Sequence, residues 1–344
     1  MPPMTTTGDI SYRTAGYFSK QLLERSQPLL VLDKFGQPKP LPAHSTRTIK
    51  FRGYEHLPNQ PKALTEGVTP QASKPTLKDI EATINQYGDW IELTDVLADT
   101  HEDPLIAEFS DILGEQAAIM RERITAGVVL GGTNVVFSGD TGGTQATART
   151  GVNKPLTLEL QRRVTRMLKR QLAQPITSFV SASPNFKTES VLPSYVAICH
   201  TDCEADIREM RGFLDVKDYG GGYKPMPGEI GSVEGVRYLC TTVFEPWENG
   251  GATIDQSSGI LSAGGAKADV YPVLYLAKNA FGIIPFNRMN GGKSPIVPMV
   301  LNPNIPRGGD PMGQRGSIAW KMWHGAIILY DMHMIRAEVA VSSL

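Results

Sequence analysis

Thr48-Ile49-Lys50-Phe51-Arg52-Gly53-Tyr54 alternates apolar and basic side chains, and Ile80-Glu81-Ala82-Thr83-Ile84-Asn85 alternates apolar and polar ones. A period of two places Ile49 and Phe51 on one face of a strand and Lys50 and Arg52 on the other. After the second run, Gly88 is expected to permit a bulge before Trp90–Thr94. Between the runs lies a polar stretch containing Pro58, Pro61, Pro70 and Pro75. Two strands joined by so much chain form a long projecting β-hairpin, not a tight turn. Such a projection has little core of its own and is expected to pack on something else.

Upstream, Gln37-Pro38-Lys39-Pro40-Leu41-Pro42 cannot continue a helix or a central strand. Residues 1–50 therefore read as an extended arm, docking at Leu29–Leu32. Downstream comes the clearest helix. Asp103 suits an N-cap and Pro104 the first helical position. Leu105, Phe109, Ile112, Leu113, Met120 and Ile124 then recur at helical spacing down to Gly127. Residues 131–152 read as a Gly/Thr-rich loop. A second helix opens near Asn153-Lys154-Pro155 and stops before Pro175, with Leu160, Val164, Met167, Leu168 and Leu172 on one side. Its other side carries Arg162, Arg163, Arg166, Lys169 and Arg170. Such a face meets phosphate, a membrane surface, water or an acidic protein neighbour, and the sequence leaves these open.

Beyond it, Tyr195–Cys199, Val236–Phe244 and Val270–Leu276 read as strands, and Asp202–Met210 as a short helix capped by Thr201 or Asp202. Residues 245–268 and 285–316 read as loops. The tail from Ser317 to Val341 is β-rich: Ile318, Trp320 and Met322 alternate, Ala326–Leu329 reads as fully buried, and Ile335, Ala337 and Val339 alternate again. Strands mixed with two prominent helices, without a βαβα rhythm, give an α+β class.

The chain has 344 residues, a length of about two domains. Gly and Pro, 34 and 25 residues, are frequent without a collagen-like period, so loops and turns are many. The formal charge of −1 argues against a nucleic-acid binder held by whole-chain charge. That average hides blocks: +4 over residues 1–50, −10 over 76–119 and +6 over 121–175. Blocks of this size are tolerable where opposite surfaces meet, or where each face is simply solvated. No apolar run is long enough for a membrane helix, and the start, Met1 to Ile10, does not read as a signal peptide. Three cysteines, Cys199, Cys203 and Cys240, fit a reducing compartment better than a disulfide framework. The reading is a soluble intracellular product.

The familiar catalytic patterns are absent from the sequence. Cys199-His200-Thr201-Asp202-Cys203 lacks a second ligand pair at zinc spacing. His101-Glu102-Asp103 is not H-E-x-x-H, and Gly131-Gly132 and Gly142-Gly143 do not make a phosphate loop. No G-x-S-x-G occurs. A loose arm, a projecting hairpin, a long helix and large loops instead make sense when neighbouring copies supply the missing contacts.

Several stretches carry a family likeness. Thr48-Ile49-Lys50-Phe51-Arg52, Leu64-Thr65-Glu66-Gly67-Val68-Thr69-Pro70 and Gln86-Tyr87-Gly88-Asp89-Trp90-Ile91-Glu92-Leu93-Thr94-Asp95 resemble the major capsid proteins of tailed bacteriophages, in the branch typified by N4-like phages. Ser181-Ala182-Ser183-Pro184-Asn185, Pro227-Gly228-Glu229-Ile230-Gly231-Ser232-Val233-Glu234, Ala268-Asp269-Val270-Tyr271-Pro272-Val273, Gly308-Gly309-Asp310-Pro311 and Gly313-Gln314-Arg315-Gly316-Ser317 continue the likeness in order. Residues around 139–150 and 250–265 match least.

The resemblance implies the HK97-type capsid fold. It assigns 1–46 to an N-terminal arm, 47–95 to an extended hairpin loop, 96–188 plus 310–344 to a peripheral domain with a spine helix, and 189–309 to an axial domain. It implies no enzyme, no cofactor and no metal. Pentamers and hexamers of the chain would close an icosahedral shell around double-stranded DNA, in a virion assembled in a bacterial cytoplasm. Portal, scaffolding and decoration proteins are further expected partners, and a membrane is not. In the family the extended loop lies across an adjacent subunit, so Arg47, Lys50 and Arg52 are expected to meet acids such as Glu81, Asp89, Glu92 and Asp95 between subunits. Arg162, Arg163, Arg166, Lys169 and Arg170 are the expected DNA-facing surface. Alternatives are an encapsulin-like compartment shell and an intracellular hydrolase or metal enzyme using the Cys199–Cys203 region.

Overall fold

The computed structural model describes residues 31–39, 46–54, 66–69, 72–95, 105–141, 144–180, 188–219, 225–226, 228–255, 258–284, 296–302 and 308–343, with 57, 63 and 306. In chain order the elements are β1 (Gln37–Pro38), β2 (Thr48–Tyr54), β3 (Leu77–Thr83), β4 (Asn85–Thr94), α1 (Leu105–Val129), β5 (Val135–Phe137), β6 (Asp140–Thr141), β7 (Thr144–Gln145) and α2 (Leu158–Arg170). There follow β8 (Ile176–Val180), β9 (Thr188–His200), β10 (Leu214–Asp215), β11 (Glu229–Val233), β12 (Val236–Thr241), β13 (Tyr271–Leu276) and β14 (Phe281–Ile283). The last are β15 (Ile296–Leu301), β16 (Arg315–His324), β17 (Ala326–Ile328) and β18 (Met334–Val339). The expected cap at Asp103 and Pro104, the arm before Val31, Ser181–Asn185, Gly220–Gly222 and most of the hairpin tip lie outside the described residues.

Eight strands form one mixed sheet in the order β10-β11-β12-β9-β13-β18-β5, with β8 also paired to β9. The apolar runs explain its centre. Along β9, Tyr195, Ala197 and Cys199 face one core layer, and Val196 and Ile198 face the other. β13 repeats this, with Val273 and Tyr275 set against Leu274 and Leu276. Strands covered on both faces need continuous apolar runs. Each fully buried Val, Leu or Ile contributes about 1.5–3 kcal/mol relative to exposure. α2 covers the first layer through Leu160, Val164 and Leu168. The second layer is covered by Val31, Leu32 and Phe35 and by the end of α1, Ala126 and Val129. Of the expected docking segment Leu29–Leu32, Val31 and Leu32 are in this layer, and Leu29 and Leu30 lie outside the described residues.

α1 is the expected spine, 25 residues long and roughly 37 Å. Its first half lays Leu113 and Ala117 on Leu93, Ile318, Trp320 and Met322 of a second sheet, ordered β15-β16-β4. The sequence wheel errs at two leucine-class positions. Ile112 is 54% exposed, and Leu172 is 77% exposed because the chain leaves α2 at Gln171 and turns to φ 57°. α2 also starts later than expected, capped by the Thr157 hydroxyl, which accepts from Leu160 N. Within the stretch expected to be loop, Val135–Phe137 forms a strand parallel to β18. The short helix is Glu204–Arg208, without a side-chain cap. Asp202 is not its cap; its carboxylate accepts from the Tyr271 hydroxyl, 2.9 Å away. Ala326–Ile328 is half-buried, not fully buried.

The hairpin pairs β2 with β3 from Thr48↔Thr83 to Tyr54↔Leu77. Its root has a small core, in which Ile49, Phe51, Ala82 and Ile84 pack on Ile284 and Leu329. At Ile84 the chain changes sheets, and β4 pairs with β16 from Asn85↔His324 to Thr94↔Arg315. No bulge occurs at Gly88, which lies in register with Lys321. Glycine is needed there for another reason: a Cβ would stand 2.6 Å from the Trp320 carbonyl oxygen.

Buried charges lock the arm to the spine. Arg121 of α1 lies 2.5 Å from Asp33. Glu122 accepts from Val31 N and from the Thr241 hydroxyl. The Thr125 hydroxyl is 2.8 Å from Nε2 of buried His324. Burial lifts the Glu122 carboxyl from 4.5 to about 7, against the backbone hydrogen bonds from Val31 and Leu32. Burial lowers His324 from 6.5 to about 4. Each shift is worth about 3 kcal/mol, and the two have opposite signs. Between pH 4.5 and 7 the folded chain keeps a proton on Glu122 that the unfolded chain has released, so this group makes stability fall as pH rises. Between pH 4 and 6.5 the folded chain excludes a proton that unfolded His324 binds, so this group makes stability rise with pH. The slopes cancel over the overlap. Glu122→Gln should expose the histidine slope, so that urea midpoints of the variant fall more steeply than those of the unsubstituted chain as pH is lowered from 6.5 to 4.5. Parallel midpoints would disprove the compensation.

Candidate interaction surfaces

The hairpin's alternation puts Lys50 and Arg52 outward, as the sequence requires, but their partners are within the hairpin. The Lys50 ammonium pairs with Glu81, its directly opposed residue in the ladder. Arg52 holds both oxygens of the opposed Asp79, at 2.9 and 3.1 Å. The pairing pushes Lys50 and Arg52 up and Asp79 down, chiefly through these hydrogen bonds. Arg47 donates to the Asn85 side chain at 3.1 Å and to Ile84 O at 3.4 Å.

The remaining acids do not share one surface. Asp89 sits on the α1 side of β4, where its carboxylate accepts from Trp90 N at 2.8 Å and from Gln116 at 2.5 Å. Gln116 in turn accepts from the Trp320 indole. Glu92, an odd number of residues from Asp89, lies on the opposite face of the strand, across from Ser317. Asp95 lies just past the strand, its N–H reaching Gln314 O.

α2 presents its cations to solvent, as expected, with Arg163 half-buried. Arg162 is matched: Glu234 takes its guanidinium with both oxygens, raising Arg162 and lowering Glu234 through the shared hydrogen bonds. Glu234 and Gly235, at φ 46° and 82°, form the tight turn between β11 and β12 that carries the carboxylate to the helix. Among the described residues, Arg163, Arg166, Lys169 and Arg170 have no carboxylate partner. Arg162, Thr165, Arg166, Lys169, Arg170 and Glu234 line a shallow cavity of about 520 Å³. Four such cations on one face could hold phosphates by charge, without base readout.

The cysteine region has a different chemistry. Cys199 and Cys203 are wholly buried in the α2 layer. The Cys199 thiol lies 3.7 Å from that of Cys240, its partner on β12, and this contact with burial pushes Cys199 up. Burial does the same to Cys203. Thiols held in the neutral form are poor ligands and nucleophiles. Among the described residues, no group of three or more His, Cys, Asp or Glu is placed to hold a metal ion.

Residues 78–336 match the family model for phage capsid protein. The chain belongs to the phage capsid protein family. Its fold recurs in solved phage heads. The capsid of Ralstonia phage GP4 aligns with a TM-score of 0.62 at 13% identity, over 91% of this chain and 88% of that chain. The capsid asymmetric unit of cyanophage Pam1 gives 0.58 at 12%, over 100% and 97%. The head of Helicobacter pylori bacteriophage KHP40 gives 0.58 at 11%, over 91% and 88%. At such identities the likeness concerns the fold, which is the HK97-type capsid fold. No curated protein matches the sequence significantly.

For a capsid protein, the charges that sequence reasoning missed matter as much as those it named. Glu338, fully buried on β18, binds Arg149 at 2.6 and 2.8 Å and Arg336 at 3.0 Å, and Arg149 stacks 3.6 Å from the Trp247 ring. Arg237 and Glu229, both fully buried, pair at 2.6 Å. The available signal was a charged residue inside an otherwise apolar strand run, as at Glu338 and Arg237. Replacing Lys50 by Glu should lower the thermal midpoint, because two carboxylates then stand directly opposed. The exchange Lys50→Glu with Glu81→Lys should recover it. A double variant no more stable than the single one would show that the hairpin pair does not act within the chain.

Proposed function

We propose that this capsid protein is the major shell subunit of a tailed bacteriophage, in the branch typified by N4-like phages, and that its copies form pentamers and hexamers of a shell enclosing double-stranded DNA. The observation that carries this reading is the family match over 78–336, in a chain whose fold is that of phage heads. The segments are proposed as an arm (1–46), an extended loop (47–95), a peripheral domain (96–188 with 310–344) and an axial domain (189–309). The eight-stranded sheet crosses these bounds, since β18 and β5 lie beside β13. The peripheral and axial parts would therefore move as one piece. Arg47, Lys50, Arg52, Glu81, Asp89, Glu92 and Asp95 are proposed to meet neighbouring copies, with Lys50 and Arg52 arriving as internally paired charges. Portal, scaffolding and decoration proteins are the further partners, and assembly takes place in the host cytoplasm.

Electron microscopy of the purified full-length chain, alone and co-expressed with the genes beside its own, tests the shell. Closed particles, tubes or capsomer rings are expected. A species that stays small under both conditions would refute the reading, and particles filled with a cargo enzyme would point to a cellular compartment instead.

The face of α2 is the proposed inner, DNA-facing surface. Duplex binding measured from 50 to 200 mM salt should weaken steeply and equally for unrelated sequences. Replacing Arg163, Arg166, Lys169 and Arg170 by Gln should reduce the slope of log K against log salt by about 0.9 for each phosphate that is no longer neutralised. An unchanged slope would place DNA on another surface.

A further inference from the structure

A groove of about 1050 Å³ runs between the hairpin root, the turn after α2 and the segment joining β17 to β18. Its apolar lining is unusually open to solvent: Tyr54 is 67% exposed, Leu172 77%, Met332 64% and Tyr330 42%. Leu172 is the most informative. It occupies the left-handed conformation just past a helix end, a position that favours glycine, and it offers a whole apolar side chain to the groove. The conformation and the exposure are both unfavourable in an isolated subunit, and covering the side chain would offset them. Four cations line the groove: Arg52 is paired with Asp79, Lys39 donates to Lys50 O, and Lys78 and Lys278 have no carboxylate partner among the described residues. The groove's carboxylate, Asp331, is occupied by Thr133, whose N–H and hydroxyl it accepts.

The opposite chemistry lies elsewhere on the same chain. On the outer side of the first half of α1, Ile112 is 54% exposed and lies between Glu108, four residues before it, and Glu115, three after it. Positions i, i+4 and i+7 share one helix face. Here Ile112 stands between acids, complementary to an apolar groove bordered by lysines. A nucleic-acid backbone would satisfy the lysines but leave the four apolar side chains uncovered.

We propose that the groove receives the first half of α1 of a second copy, with Ile112 entering between Leu172 and Tyr330 and with Glu108 and Glu115 facing Lys78 and Lys278. The contact joins two different patches, so it is head-to-tail and builds rings when the rotation closes. This rests on the assembly reading above and adds to it the surface and its counterpart.

Full-length chain carrying both Ile112→Cys and Leu172→Cys is assembled and then oxidised with copper phenanthroline. Non-reducing gels should show a ladder up to the capsomer size, absent from either single variant. Shells that form normally but give no ladder overturn this contact and leave the assembly reading intact. A chain that forms no particles even without substitutions overturns both. A second test does not depend on thiol geometry. Lys278→Glu should reduce particle yield at least tenfold while leaving the monomer's thermal midpoint in place, and added Glu108→Lys should restore the yield. Unreduced yield in Lys278→Glu, or no rescue by the exchange, counts against the contact.

Discussion

The fold depends on a central strand whose second half is buried on both faces. From Tyr195 to Cys199, β9 is apolar at every position, so it requires cover on both faces. The chain meets that requirement with elements distant in sequence: α2 on one side, and the end of α1 with Val31, Leu32 and Phe35 on the other. Val31, Leu32 and Phe35 are therefore part of the core. Removing the 31–35 segment would uncover Val196, Ile198, Leu274 and Leu276, which are fully buried.

α1 carries the constraint across to the second sheet. A rod of roughly 37 Å serves two cores in succession, Leu113 and Ala117 in one and Ala126 and Val129 in the other. Between them sit Arg121, Glu122 and Thr125, where a purely apolar helix would have been simpler to bury. Their partners, Asp33, the Val31 amide, Thr241 and His324, come from the arm, the large sheet and the end of β16. Buried polar groups must be matched or they cost more than they contribute. Such a cluster tolerates one arrangement of four chain segments and penalises others.

This division explains what the sequence made legible. Period-two alternation placed Ile49, Phe51, Ala82 and Ile84 on the buried face of the hairpin, because one face of that ribbon has a core and the other does not. The helical wheel placed Leu160, Val164 and Leu168 correctly for the same reason. It failed at Leu172, because a wheel assumes that the helix continues, and at Ile112, because a wheel cannot tell a face covered within the chain from one left open. β5 was unreadable: three residues paired by tertiary context carry no periodicity. The hairpin charges were legible as charges, yet their partners were a matter of register. Lys50 opposite Glu81 and Arg52 opposite Asp79 follow from Thr48↔Thr83, which composition does not reveal. At the α2 surface the five cations were readable from spacing, whereas the capture of Arg162 by Glu234 needed the turn at 234–235.

The large loops show how a subunit of this kind can associate without a heavy ordering cost. Long Gly-rich excursions lose conformational entropy when a neighbour fixes them, and that loss is subtracted from binding. Here the loss is taken at folding. Asp269, buried at the start of β13, accepts from Asn249 N and Ala263 N, each at 2.7 Å, and so holds both arms of the 245–268 excursion with one carboxylate. Glu338 does the same for the 149 region through Arg149, whose guanidinium stacks on Trp247 and joins the two loops to each other. Both carboxylates are almost or fully excluded from water, so leaving either unmatched would be expensive. The loops are thus held by the stability of the sheet itself. A neighbouring copy that contacts the described parts of these two loops would meet backbone already anchored, at little further ordering cost.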